Sequence, residues 1–180
     1  MPRSLTAPRE QSNVPTIGLA ASFSDAILAV HILAAVIGFG VLFAYPIVSL
    51  VAAKMDRRAM PWYHRMQELF GRYLVAPGLV VILIAGIYLA SHEHQWSKFY
   101  VLWGLGAVVV IGGIGGGFLG TREGKLAKLA ARDVAGTAPD AEVTWSAEYE
   151  ALNKQVLIVG SILLLIIVLT VFFMALHLGA

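Results

Sequence analysis

The chain contains no cysteine. That single absence removes disulfides, thiolate zinc sites, iron–sulfur clusters, covalently attached c-type haem and cysteine nucleophiles. Charge is scarce as well: 13% of the 180 residues are Asp, Glu, Lys or Arg, roughly half the share found in a soluble domain. Against this stand 58% hydrophobic residues and a mean hydropathy of +0.77. Such a composition excludes a soluble enzyme and a disordered segment, and it requires lipid as part of the solvent. Any metal or redox chemistry then rests on His, Met or carboxylates. The net charge of +2 and the pI near 9.0 do not indicate nucleic acid, because the basic residues flank apolar runs instead of forming one patch.

Four apolar stretches, at about 24–53, 72–90, 99–120 and 155–178, reach the roughly 20 residues that cross a hydrocarbon core as a helix. Backbone groups in lipid must be bonded within their own segment, so these stretches predict helices and not strands. The expected fold is all-α, an antiparallel bundle of four transmembrane helices in one domain over 24–180, preceded by a polar tail over 1–23. Lys and Arg fall 10 to 3 between the two sides: Lys54, Arg57, Arg58, Arg65, Arg72, Arg122, Lys125, Lys128, Arg132 and Lys154 against Arg3, Arg9 and Lys98. The positive-inside rule then places 54–71 and 121–154 in the cytoplasm, and both termini and the turn 91–97 outside. The simplest setting is the plasma (inner) membrane of a bacterium. Residues 60–71, with Trp62 and Tyr63, read as a cytoplasmic lead-in to the second span. Residues 121–154 read as a helical extension of the third and fourth spans, broken at 136–140 and resuming at 142–154.

His31 is the most informative residue. It lies several residues inside the first span, on a stripe continuing through Ala35, Gly38, Leu42 and Tyr45, and an ionisable side chain at that depth is a functional candidate. Imidazole is the usual protein ligand of non-covalent haem, and Ala35 with Gly38 would leave room for a flat macrocycle. The alternative is a neutral histidine hydrogen-bonded to a neighbouring helix. The topology puts His92, His94 and His177 on the same side as His31, which permits a second axial ligand from the outer turn or the end of the last span; His64 alone lies on the other side. His92 and His94 could also hold a surface cation, Met174 is a packing residue or a thioether ligand, and Lys98 beside Trp96 snorkels to the interface. The third span carries eight glycines between Gly104 and Gly120. Their four-residue spacings predict close contact with another helix.

The stretch from His31 through Phe43 to Pro46 resembles the first span of the HemJ-type membrane protoporphyrinogen oxidases and the related copper-resistance D-like proteins. Pro77, Gly86 and Leu89 are similar to that group's second-span positions, Lys98 to its third-span lysine, and Leu152-Asn153 to its entry into the last span. The chain departs at Ile47, where those oxidases place an arginine, and at Lys154, where they place an acid. It looks more like the sister group of predicted integral membrane proteins, a four-span domain of unknown function. The resemblance implies the fold and a haem-ligand role for His31, with a supporting role for Lys98. The leading expectation is thus a haem-dependent membrane oxidoreductase, binding haem b or a porphyrin through His31 and one of His177, His92 and His94, in the lipid bilayer and as a possible homo-oligomer. A non-catalytic membrane protein, whether permeation component or scaffold, is the alternative.

Overall fold

Every regular element in the computed structural model is helical among the residues it describes, 22–177. Most of the expected polar tail, 1–21, and the last residues of the fourth stretch lie outside them. The first helix, α1 (Phe23–Met55), starts where Ser22 and Asp25 form a reciprocal capping box, which satisfies backbone donors that have no partner inside the helix. After a short 3-10 turn at Arg57–Ala59 come α2 (Met60–Phe70) and α3 (Ala76–His92), joined without a break by a π-helical segment, Gly71–Val75. In the same way α4 (Phe99–Gly112) runs through a π-helical segment, Gly113–Leu119, into α5 (Gly120–Ala135). The last helix is α6 (Ala147–Leu176). Four continuous helices therefore result, of 33, 36, 37 and 30 residues, each long and apolar enough to cross a membrane. At about 1.5 Å per residue they exceed a hydrocarbon core of about 30 Å.

Local chemistry explains both widened turns. Pro77 has no N–H to return to the preceding turn, and the first π segment ends two residues before it. Pro46 sits inside an uninterrupted α1. The second π segment is the glycine run itself, where no side chain opposes a wider turn.

The helices enclose two apolar cores. One gathers Phe39, Val75, Leu79, Ile82, Ala107, Ile111, Leu163 and Ile167 from the long apolar stretches. The other gathers Met60, Tyr63, Leu126, Leu129, Ala130, Tyr149 and Val156, and so joins α2, α5 and the start of α6 in a lobe beyond those stretches. Leu119 packs against both. Elsewhere apolar surface faces outward: only 11% of the most apolar window of α1 is buried, and Ile47 is 64% exposed. Such a surface is what a lipid solvent would cover.

The break between α5 and α6 is longer than expected. Helix resumes at Ala147 and not near 142, because other groups hold the intervening backbone. Arg58 donates to the carbonyls of Ala138, Pro139 and Ala141. Arg57 donates to Val143 and pairs with Glu142. Ser146, whose backbone and hydroxyl both donate to Asp133, caps the new helix.

The glycines do not act where the sequence suggested. A Cβ at Gly113, Gly115, Gly116 or Gly117 would meet nothing within 4 Å, so this run of the third span is not a contact between helices of this chain, whereas Gly104 at its other end packs against Met174 of α6. The close approach is between α1 and α3, where a Cβ on Gly78 would come within 3.3 Å of the Gly38 backbone. Small residues permit close packing only when a partner backbone lies opposite, and number and spacing do not say which face has one.

Candidate functional site

His31 lies eight residues into α1, about 12 Å along the helix axis. Its ring rests on α3 at Gly86, where a Cβ would lie 3.2 Å from Cε1 and 3.6 Å from Nδ1. Glycine is the residue that leaves space for the imidazole at this point. Nδ1 is buried and meets no partner in good hydrogen-bond geometry among the described residues, with the Ile82 backbone of α3 the group nearest to serving as one. Nε2 lies farther than 4 Å from the same point and is the nitrogen left for a ligand. The space expected over Gly38 is instead taken by Gly78 of α3.

The other candidates are spread over the ends of α3, α4 and α6. His92 ends α3 and stacks on Tyr88, with ring centroids 5.6 Å apart. His94 follows in the turn, and His177 caps α6 with its ring edge-on to Tyr100. Both His94 and His177 have left-handed backbones, at φ 56° and 48°, a conformation common where a helix ends. Lys98 is the half-buried N-cap of α4. No hydrogen bond or ring contact joins His31 to His92, His94 or His177 among the described residues. Nor does any group of three or more His, Asp or Glu there come close enough to hold a metal ion.

A second centre, absent from the sequence reading, occupies the lobe. His64 on α2 is 1% exposed and Glu123 on α5 is 7% exposed. His64 Nδ1 lies 2.7 Å from the Glu123 carboxylate, and Nε2 lies 2.9 Å from the Tyr149 hydroxyl on α6. A carboxylate accepts only, so Nδ1 carries the proton; in the neutral ring Nε2 then accepts from Tyr149. With the Gln67 amide turned so that its nitrogen faces the carboxylate, that nitrogen lies 3.0 Å from both Glu123 oxygens. Its oxygen then lies 2.9 Å from the Tyr63 hydroxyl, whose single proton is shared between that oxygen and the Tyr45 carbonyl at 3.0 Å. The Tyr45 hydroxyl is buried beside this centre without a hydrogen-bond partner among the described residues, while the other contacts tie together α1, α2, α5 and α6.

Sequence carried a signal for it. Glu123 stands three and seven residues before Leu126 and Ala130, so it shares their buried face, and His64 stands four after buried Met60. An acid on the apolar stripe of an amphipathic helix is a buried acid. Its flanking cations, Arg122 and Lys125, obscure that signal. Beside the centre, Tyr149 helps line an open cleft of about 290 Å³ with Ser49, Met60, Trp145 and Lys154. The chain matches no family model, no curated protein and no solved structure.

Proposed function

We propose that the protein is a multi-pass membrane protein whose four long helices cross a plasma membrane as an antiparallel bundle and which binds haem b or a porphyrin through His31. The observation that supports the site is the His31 ring itself, with Nδ1 covered by α3 and without a well-aligned partner and Nε2 turned away. A buried imidazole nitrogen needs a partner, and Nδ1–H donation to a helix carbonyl would orient Nε2 as an iron ligand. Bound haem would supply one-electron redox chemistry. The chain's part is to place the imidazole, to exclude water around it with apolar helices, and to offer Lys98, His92, His94 or His177 at the adjoining helix ends. In this reading the likeness to the HemJ-type oxidases extends to the haem ligand. The test is spectroscopic: protein expressed with haem supplementation should show a Soret band that His31→Ala abolishes or strongly shifts and His64→Ala does not. Protein that stays colourless after haemin titration sinks the site.

A second reading, a non-catalytic membrane protein, is favoured by the Gly38–Gly78 contact, which fills the space the stripe would otherwise leave for a macrocycle. Under either reading both termini and 91–97 face outward, and the lobe faces the cytoplasm. The chain has no cysteine, so Ser97→Cys and Thr137→Cys can be probed one at a time in intact cells with an impermeant thiol reagent. Only the variant at Ser97 should label. Labelling of the Thr137 variant alone would invert the topology.

A further inference from the structure

The cations of the inner half fall into two classes. Those farther out along the lobe are engaged: Arg57 with Glu142, Arg65 with Glu68, Lys125 with Glu148, and Arg132 with Asp133 and Glu148. Arg58 is held by three carbonyls. Those at the boundary meet no acid, and of them Arg122 donates at 3.4 Å to the Phe118 carbonyl one turn before it. Lys54 closes the first apolar stretch, Arg72 opens the second, Arg122 follows the third and Lys154 precedes the fourth. Among the described residues, none of the four has a carboxylate within 4.0 Å. Lys128 is the one lobe cation outside this division.

We propose that Lys54, Arg72, Arg122 and Lys154 form a collar that binds the phosphate groups of anionic phospholipids. The inference rests on the membrane reading above. Charge complementarity carries it: Glu68, Asp133, Glu142 and Glu148 are spent on the outer cations, while one cation per apolar stretch has no carboxylate within 4.0 Å at the level where a headgroup phosphate would sit. The two arginines are the strongest members, because a guanidinium meets a phosphate through two parallel hydrogen bonds. Each also lies over an aromatic ring, Arg72 over Tyr73 at 5.5 Å and Arg122 over Phe118 at 3.4 Å. Their helices adjoin, since α2 packs on α5 and the two π segments touch. Exposed Tyr73, next to Arg72, suits the same interfacial level.

The test has two arms. In the first, membranes containing the protein are washed with alkaline carbonate; release into solution overturns both the membrane reading and the collar. In the second, the full chain in neutral detergent is titrated with phosphatidylglycerol or phosphatidylcholine, and bound lipid is counted by native mass spectrometry. Wild-type protein should prefer phosphatidylglycerol. Arg72→Gln/Arg122→Gln should lose that preference by roughly fivefold for each cation removed, with unchanged thermal stability in phosphatidylcholine. Arg65→Gln/Lys125→Gln, which removes two engaged cations, should keep it. Equal binding of the two lipids by wild-type protein, or equal loss in both variants, overturns the collar and leaves the membrane reading standing. Complete displacement of phosphatidylglycerol by millimolar inorganic phosphate also overturns it, since the site would then be one for a free anion.

Discussion

His64→Leu should cost about 3–5 kcal/mol of stability, the usual penalty for leaving a buried carboxylate without its partner. The variant strands the Glu123 carboxylate, which is 7% exposed, with only the Gln67 amide beside it. Glu123→Leu should cost less, about 1–3 kcal/mol, because what it strands is a neutral imidazole N–H. The double variant His64→Leu/Glu123→Leu should be more stable than His64→Leu alone, since apolar replacement of both partners leaves no buried charge. Thermal unfolding of the three variants in one detergent checks the order. Additive losses, with the double variant the least stable of the three, would show that the two side chains do not act as a pair.

Gly78→Leu should be the most damaging exchange of a small residue. A Cβ there already comes within 3.3 Å of the Gly38 backbone and 3.6 Å of the Ala34 carbonyl, and backbone cannot give way as a side chain can. Overpacking of this kind costs about 1–3 kcal/mol or more, and here it must drive α1 from α3, the helix on which it chiefly packs. Gly113→Leu and Gly116→Leu, which meet open space, should instead be near neutral in detergent. Comparable loss of thermal stability in all three variants would refute this assignment of the glycine contacts.

These two expectations show what the sequence disclosed and what it concealed. The long helices are readable because each contains a run of about twenty apolar residues, the length and composition a membrane-crossing helix needs. The cap at Ser22 and the break after Ala135 follow from residue chemistry within a few positions. Contacts between helices are different in kind. Gly38 lies on the stripe of His31, and the sequence cannot say whether a small residue there admits a ligand or another backbone; here it admits Gly78. Glu123 sits between cations in a segment short of apolar residues, so composition points outward while the positions of Leu126 and Ala130 point inward. Position decides, because a helix buries a face and not a segment.

The two apolar cores have a consequence for how the molecule comes apart. They meet at Leu119, the last residue of the second π segment, and both covalent routes from lobe to stretches through α2–α3 and α4–α5 pass through a widened turn. Cooperative units in proteins tend to be bounded where the backbone ladder is irregular and few side chains cross. The α2 and α5 parts of the lobe are therefore built to open together while the apolar helices, with the unbroken α6, stay assembled. Transient loss of the histidine centre then becomes a local, reversible fluctuation, with no need for global unfolding.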